Sequence, residues 1–155
     1  MSIEIARAHL EKFGLQDRIR EFTVSSATVA LAAQALGVDG ARIAKSLSFS
    51  LGESAILVVA AGDAKVDNKK FKATFNAKAK MLPYEDVETL IGHAVGGVCP
   101  FGVREGVTVY LDESLRRFDT VYPAAGNASS AVELNLSELE EAALAVGWVD
   151  VTVIP

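Results

Sequence analysis

The sequence has few of the residues from which metal and redox sites are built. It contains one cysteine, Cys99, and two histidines, His9 and His93, in 155 residues. No pair of them has metal-ligand spacing and no carboxylate cluster accompanies them, so we expect no metal site. One thiol cannot close an internal disulfide, which favours a reducing compartment. We therefore expect a cytoplasmic protein.

Other absences exclude larger classes of protein. No apolar run approaches the roughly 18 residues of a membrane span. Residues 1–4 lack the basic start and apolar stretch of a signal peptide. Neither GxxxxGK[ST] nor a GxGxxG after a strand is present, so nucleotide cofactors have no support. The prediction is a protein with no cofactor and no membrane partner.

The composition predicts one folded domain over residues 1–155. Half of the residues are hydrophobic, and the length is sufficient to bury a core. Helical and strand patterns alternate, which predicts an α/β (α+β) fold with a mixed β-sheet flanked by helices. Residues 55–61 are apolar throughout, as in a central strand. Ser25 or Ser26 is predicted to cap the second helix, Asp67 a lysine-rich helix, and Ser137 with Glu140 the last helix.

The charge argues against a general nucleic-acid binder and against a DNA partner. There are 20 acidic and 15 basic residues, a net charge of −5. Lysines nevertheless cluster in one stretch, at Lys65, Lys69, Lys70, Lys72, Lys78 and Lys80. A local basic face on an acidic domain suits one specific polyanion. The alternative is an ordinary solvated helix face.

Lys45 is the strongest candidate for chemistry. Asp39 is predicted to cap a short helix that runs to about Lys45, directly before a strand at residues 46–51. A lysine in the last turn of a helix also interacts favourably with the helix dipole, and this structural role is the alternative. A lysine combined with converging main-chain N–H groups can hold a phosphate or polarise a carbonyl oxygen.

Two glycine-containing segments supply such flexible main chain, at residues 96–102 and 125–130. Three glycines and a proline in seven residues exceed what a simple turn requires, and Phe101 can anchor this loop in the core. Asn127 tolerates left-handed backbone, so a plain turn remains open for the second segment. Ser129 and Ser130 can donate to a substrate or satisfy local backbone groups. Cys99, six residues after His93, allows a nucleophile hypothesis, although a lone cysteine more often acts as a small hydrophobe.

The order and spacing of these segments resemble the YbaK/EbsC family, the free-standing relatives of the editing domain inserted in bacterial prolyl-tRNA synthetases. The shared pattern is a lysine before a strand, here Lys45, then G-x-x-x-P-x-G, here residues 96–102, then a glycine loop, here around Gly126. The resemblance covers nearly the whole chain. It implies an aminoacyl-tRNA deacylase that removes a small amino acid, such as alanine, cysteine or serine, from a tRNA such as proline tRNA.

The resemblance also implies a site. Catalysis would rest on Lys45 and the main-chain N–H groups of Gly97 and Gly126, without a covalent nucleophile. The implied substrate-binding residues are Thr28, Gly96, Val98, Cys99, Pro100, Phe101, Gly102, Ala125, Asn127 and Ser129. Lys69, Lys70 and Lys72 are the candidate tRNA contacts, and the partners are aminoacyl-tRNA and, as a candidate, prolyl-tRNA synthetase.

Three points stay open from the sequence. Residues 25–27 depart from the histidine-containing start that is usual near Thr28 in relatives, which leaves the recognised amino acid undecided. A non-catalytic module that holds a tRNA end or a regulatory partner is one alternative to a deacylase. A hydrolase that depends on Cys99 is the other.

Overall fold

The fold is organised around a long β-hairpin at the centre of a mixed sheet. The computed structural model describes residues 2–155, with side chains from Ile3 onward. The helices are α1 (Ser2–Glu11), α2 (Val29–Leu36), α3 (Asn68–Phe75), α4 (Tyr84–Ile91) and α5 (Leu136–Ala142). The strands are β1 (Ile19–Glu21), β2 (Ile43–Leu51), β3 (Ser54–Ala61), β4 (Lys65–Val66), β5 (Thr108–Asp112), β6 (Thr120–Pro123), β7 (Ser130–Val132), β8 (Leu134–Asn135), β9 (Gly147–Val149) and β10 (Thr152–Val153). None of these helices is long and apolar enough to cross a membrane.

The main sheet has six strands in the order β8-β6-β2-β3-β5-β9. The hairpin β2–β3 is antiparallel and pairs from Ala44↔Ala61 to Leu51↔Ser54. β6 joins β2, and β5 joins β3, in parallel. Two further antiparallel pairs, β1–β7 and β4–β10, lie outside this sheet. The predicted mixed α/β fold is confirmed.

β3 is buried on both faces, as its continuous apolar sequence predicts. Leu57 and Val59 belong to the largest core cluster, whereas Ile56 and Val58 belong to a second cluster on the other face. This division follows from the strand repeat, in which successive side chains point to opposite faces. Both faces therefore need helices over them.

The helices supply these two layers. α1, α4 and α5 bury side chains in the largest cluster, including Leu10, Ile91 and Leu139. On the other face, α3 inserts Phe71 against the sheet, and α2 packs its alanines against Ile43 and Tyr122. The result is a sheet between two helical layers, the arrangement expected when helices cover both faces of a mostly parallel sheet.

Several predicted element boundaries are wrong. Lys45 does not end a helix, because the helical stretch is a 3₁₀ turn, Gly40–Arg42, and Lys45 lies inside β2. Residues 77–82, which the sequence also predicts as a short strand closed by Pro83, form only an isolated bridge, Phe49↔Met81. α2 begins later than expected, with Thr28 as its N-cap. The Asp67 cap of α3 is confirmed.

The capping box of the last helix is displaced by two residues. The Asn135 side chain accepts from the Glu138 main-chain N–H at 2.8 Å, and Glu138 accepts from the Asn135 N–H at 3.0 Å. Ser137 and Glu140 have the same spacing but lie inside α5. Asn135 is the cap because β8 ends at this residue and the chain then turns into α5.

Asn135→Ala is expected to lower the free energy of unfolding by about 1 kcal/mol, since the cap bond is lost. Ser137→Ala, the matched control two residues further on, should change stability by less than about 0.5 kcal/mol. Urea unfolding followed by circular dichroism measures both. A larger loss for Ser137→Ala than for Asn135→Ala would contradict this assignment.

Candidate functional site

A cavity opens where the pairing of β2 is interrupted. The ladder from β6 stops at Ala44↔Pro123, and the next partner on this edge within residues 2–155 is the crossing segment at Met81. The main-chain carbonyl of Ser48 accepts from the Leu82 N–H, and the Ser50 N–H donates to the Lys80 carbonyl, so both residues bond to that segment. Alternate residues of a strand point their N–H and C=O groups to the same side. Ser46 therefore points its N–H and C=O to the same edge as Ser48 and Ser50, where β2 has no strand partner.

The cavity has a volume of about 380 Å³ and wraps around this strand edge. Ile43 and Lys45 line it from one face of β2, and Ala44, Ser46 and Ser48 from the other. α2, α4 and the glycine loop complete the walls, which are largely apolar; they contribute Val29, Ala32, Val87, Val95, Gly96 and Val98. Ligand sites of small molecules have this character, with a few polar groups in an apolar lining.

Lys45 is half-buried on the α2 side of β2. Its ammonium donates to the main-chain carbonyls of Gly62, at 3.3 Å, and of Ala64. Burial lowers the pKa of Lys45 below its usual range; the charge of Asp63 opposes this shift and that of Lys65 adds to it. An ammonium has three donors, so one N–H remains for a ligand. The helix-dipole role is excluded by the strand position.

The loop that holds the ammonium is itself braced. Asp63 lies between the two accepting residues and forms a bidentate ion pair with Arg117, at 2.6 and 3.1 Å. This bond holds the pKa of the Asp63 carboxyl below its usual range. A Cβ at Gly62 would lie 2.0 Å from the carbonyl oxygen of Gly40, so only glycine fits there. The carbonyls that position Lys45 are therefore fixed from both sides.

The two glycine loops contact each other directly. A Cβ at Gly97 would lie 2.4 Å from the main-chain nitrogen of Asn127, so glycine is required for this approach. The Gly97 N–H already donates to Ala94 at 3.0 Å. Its N–H is therefore used inside the turn, and the expected role of Gly97 as an oxyanion donor stays a prediction. Gly126 is buried with φ +99° and does not line the cavity, and its donor role stays a prediction.

The implied substrate-binding residues divide into two groups. Thr28, Gly96 and Val98 line the cavity. Thr28 also caps α2, since its hydroxyl oxygen accepts from Leu31 at 3.2 Å. The remaining seven lie behind the wall or beside it: Cys99, Pro100, Phe101, Gly102, Ala125, Asn127 and Ser129.

The residues behind the wall have structural uses. Phe101 and Ala125 are fully buried in the largest core cluster. Asn127 caps its own turn, because its side-chain oxygen accepts from the Ser129 N–H at 3.0 Å. The Ser129 carbonyl accepts from Phe22 at 2.8 Å. The contacts of Asn127 and Ser129 shape the second loop. The geometry gives no support for direct substrate contact by the residues behind the wall.

Cys99 has the properties of a core residue and not of a nucleophile. It is fully buried, and burial raises the pKa of its thiol to about 12. Its sulfur lies 3.6 Å from Nε2 of His93, but that nitrogen is 2.7 Å from the carbonyl oxygen of Phe101. A carbonyl only accepts, so Nε2 carries the proton and cannot take one from the thiol. These properties argue against the alternative of a Cys99-dependent hydrolase.

The lysine-rich helix separates into free and engaged lysines. Lys70 donates to Asp150 at 3.0 Å and to the Thr152 carbonyl at 2.8 Å, so its ammonium is already engaged, and its role as a tRNA contact stays a prediction. Lys69 and Lys72 are exposed and, with Lys78, line a second depression of about 400 Å³ on the surface. These two remain candidates for phosphate contact.

Four residues of the site were not predicted from the sequence. Ser46 and Ser48 are polar residues of a half-buried strand, and their alternation was the available signal. Asp63 and Arg117 are separated by 54 positions, and no sequence pattern brings them together. Asp63 follows β3 and Arg117 follows β5, so the parallel pairing of these two strands brings the two residues together.

The fold and the site define a small α/β domain with an apolar cavity that carries one lysine. The family model described as "Aminoacyl-tRNA editing domain" matches residues 23–142, which is most of the chain. The chain belongs to this family, and the resemblance to the YbaK/EbsC proteins is confirmed.

Individual relatives agree with this assignment. The "Uncharacterized protein YwhH" of Bacillus subtilis is 50% identical over 152 residues, with 97% of each chain covered. The "Putative Cys-tRNA(Pro)/Cys-tRNA(Cys) deacylase EbsC" of Enterococcus faecalis is 31% identical over 105 residues, 66% of this chain and 63% of that one. A crystal structure of "a putative trans-editing enzyme for prolyl tRNA synthetase" superposes with a TM-score of 0.88 at 29% identity, covering 98% of this chain and 97% of the other.

The burial of Cys99 predicts that its thiol is unreactive in the folded protein. Alkylation by iodoacetamide at pH 8 should proceed at least about a hundredfold more slowly than in 6 M guanidinium chloride, because only the thiolate reacts and it is suppressed by burial. Mass spectrometry of timed samples measures the modified fraction. Rapid stoichiometric modification of the native protein would restore the thiol as a candidate nucleophile.

Proposed function

We propose that this protein is a trans-editing hydrolase that deacylates tRNA mischarged with a small amino acid of the alanine, cysteine or serine class, with proline tRNA as a candidate carrier. One observation carries the proposal: in a chain of the aminoacyl-tRNA editing family, the cavity lies on an open strand edge beside the ammonium of Lys45. EbsC is named as a deacylase of Cys-tRNA(Pro), and the similar crystal structure as a trans-editing enzyme for prolyl tRNA synthetase; both names support this proposal.

The lining of the cavity is consistent with hydrolysis by water. Within residues 2–155, the lining includes no carboxylate, histidine or cysteine. An ester has a good leaving group, so orientation and charge stabilisation can suffice. The oxygen of water bonds to the ester carbonyl carbon, the bond from that carbon to the ribose oxygen breaks, and the ribose oxygen takes a proton that the attacking water releases.

Lys45 is proposed to stabilise the negative charge that develops on the ester oxygen or that resides on the terminal phosphate. Its remaining N–H is a charged donor in a partly buried site, where such bonds are stronger than in water. The Ser46 main-chain N–H, on the open edge of β2, is a second donor candidate. Because the Gly62 and Ala64 carbonyls hold the ammonium in place, little reorganisation is needed when charge develops.

The walls of the cavity are proposed to act as a size sieve. Valines from three different segments, Val29, Val87 and Val98, restrict the space beside Lys45. Binding alone separates amino acids that differ by one methylene only about 10- to 200-fold, so exclusion of larger side chains is the more effective filter.

One observation favours the alternative, a non-catalytic module for a tRNA end. Lys45 already has two carbonyl partners, as a purely structural lysine would. A purified protein that binds aminoacyl-tRNA and never releases the amino acid would establish this alternative. Release from a panel of misacylated tRNAs, at a rate above the spontaneous one, would exclude it.

Lys45→Ala is expected to fold and to lose at least about a hundredfold in single-turnover deacylation, because a charged donor to the developing oxyanion is removed. Loss of the two carbonyl bonds should cost about 1–3 kcal/mol of stability, which thermal melting measures on the same preparation. Lys45→Arg should restore little, since a planar guanidinium does not replace a compact ammonium.

Lys65→Ala is the matched control for Lys45, because it removes one exposed positive charge near the same loop. Its deacylation rate should remain within about twofold of wild type, as expected for a surface substitution. A near wild-type rate for Lys45→Ala would assign Lys45 a structural role and overturn the proposed site.

The double variant Lys69→Ala/Lys72→Ala is expected to weaken tRNA binding and to flatten its salt dependence. Each lost phosphate contact should reduce the slope of log K against log salt by about 0.7–0.9. Fluorescence anisotropy with labelled tRNA between about 50 and 200 mM salt measures the slope. The rate at saturating tRNA should be unchanged.

Lys12→Ala/Arg104→Ala provides the control for this measurement. It removes two exposed positive charges from the side of the sheet covered by α1 and α4, opposite α3. Equal salt slopes of tRNA binding for the two double variants would show that Lys69 and Lys72 are ordinary solvated surface residues.

A further inference from the structure

We propose that Arg117 and Asp63 are positioning residues for the hydrolysis: their ion pair, formed outside the cavity, holds the turn at residues 61–64 that directs the Lys45 ammonium. The inference rests on the proposed function, because the direction of this ammonium affects the rate only if Lys45 acts on the ester. It goes further by assigning a role in the reaction to two residues that do not line the cavity.

The turn at residues 61–64 binds Lys45 through its carbonyl groups. The turn is closed by the Ala64 N–H, which donates to the Ala61 carbonyl at 3.0 Å. The carbonyls of Gly62, at 3.3 Å, and of Ala64 accept from the Lys45 ammonium. Because two of the three ammonium donors are used here, the orientation of this turn decides where the third N–H points.

The 3₁₀ turn Glu113–Arg117 holds this turn at two points. The Ser114 hydroxyl oxygen accepts from the Ala61 N–H at 3.0 Å. Arg117 forms both bonds of the bidentate pair with Asp63, at 2.6 and 3.1 Å. A turn that is held at two residues is restrained against rotation as well as against displacement.

The Arg117 guanidinium is itself fixed in place for this contact. Its Nε–H donates to the Ser114 carbonyl at 2.9 Å, which leaves the two terminal nitrogens for Asp63. Its central carbon lies 4.9 Å from the ring centroid of Phe118. The buried Asp112 carboxylate accepts from the Ser114 N–H at 2.9 Å and so anchors the 3₁₀ turn. A planar guanidinium held in this way pairs with a carboxylate in one defined geometry.

The charges around Lys45 give the ion pair a second effect. Burial lowers the pKa of the Lys45 ammonium, the charge of Asp63 raises it, and that of Lys65 lowers it. Arg117 holds the pKa of the Asp63 carboxyl below its usual range, and the charge of Asp39 in turn raises the pKa of Arg117. Removal of the Asp63 charge therefore lowers the pKa of Lys45 further, whereas removal of Arg117 leaves the Asp63 charge in place.

Arg117→Gln and Asp63→Asn test the positioning by single-turnover deacylation of the misacylated proline tRNA that wild-type protein hydrolyses fastest. Each variant should lose at least about tenfold in rate at saturating tRNA, because a displaced charged donor stabilises the transition state less well. The dissociation constant for tRNA should stay within about twofold of wild type, since contacts to the rest of the tRNA are kept. Arg117→Lys, which keeps the charge but not the planar fork, should recover only part of the rate.

Arg116→Gln is the matched control, since Arg116 belongs to the same 3₁₀ turn but pairs with Glu113 at 2.7 Å. Its rate should stay within about twofold of wild type. Exposed ion pairs contribute little to stability, so every variant should melt within about 4 °C of wild type. Wild-type rates for Arg117→Gln and Asp63→Asn, or losses no greater than the loss of folded protein, would overturn the positioning role.

Dependence on Lys45 separates positioning from an independent role of the pair. In the Lys45→Ala background, Arg117→Gln should change the remaining rate by less than about twofold, because two residues that act through one group are not additive. The same loss in both backgrounds would show that Arg117 acts without Lys45, and it would contradict the inference.

Nuclear magnetic resonance of protein labelled with ¹³C,¹⁵N-lysine tests the pair without any substrate. The Lys45 side-chain signal, assigned by its absence in Lys45→Ala, should shift at neutral pH in Arg117→Gln and in Asp63→Asn, because the ammonium is displaced. The pKa of Lys45 read from this signal should be lower in Asp63→Asn than in wild type, and not lower in Arg117→Gln. If no misacylated tRNA is hydrolysed, the proposed function fails and the spectra still decide whether the pair positions Lys45. An unchanged signal with an unchanged pKa in both variants would show that it does not.

Discussion

The interrupted pairing of β2 is the constraint on which the cavity depends. A strand in the middle of a sheet normally has both edges hydrogen-bonded, and an unpaired main-chain group needs another partner. Here β6 leaves β2 after Ala44, and the segment at Met81 joins only at Phe49. The intervening edge cannot be closed by either neighbour. α2 and the glycine loop surround it, and the space between them is the cavity. A ligand in that space has access to the side chains of both faces of one strand.

The packing of the loops, in turn, sets the position of the Lys45 ammonium. The ammonium is held by carbonyls of the Gly62–Ala64 turn, and that turn is fixed by the Asp63–Arg117 ion pair and by the contact of Gly62 with Gly40. An exposed ion pair of this kind contributes little to stability. Its consequence is positional, because it restricts where the carbonyls can be. The close contact of Gly97 with Asn127 similarly fixes the two glycine loops against each other.

The local elements were largely predictable, and the site was predictable only in part. Continuous apolar sequence identified β3 as a central strand, and Asp67 marked the start of α3, because burial on two faces and N-capping leave local signals. The position of Lys45 was misjudged because a 3₁₀ turn and a helix share the same capping residue, Asp39. The family resemblance implied substrate contact for Cys99 and Phe101, yet both lie in the core, where the sequence had also predicted Phe101 as the anchor of the loop.

The sequence by itself determined the class of fold, the cap of α3 at Asp67 and the presence of a lysine and two glycine loops in an order typical of the editing family. These properties are local or depend on order along the chain. The tertiary structure alone decided which residues meet. It joined Asp63 to Arg117, brought Gly97 into contact with Asn127, and placed Lys45 at the cavity. The physical reason is that hydrogen bonding between distant strands sets these distances, and the strand pairing is absent from any local pattern of residues.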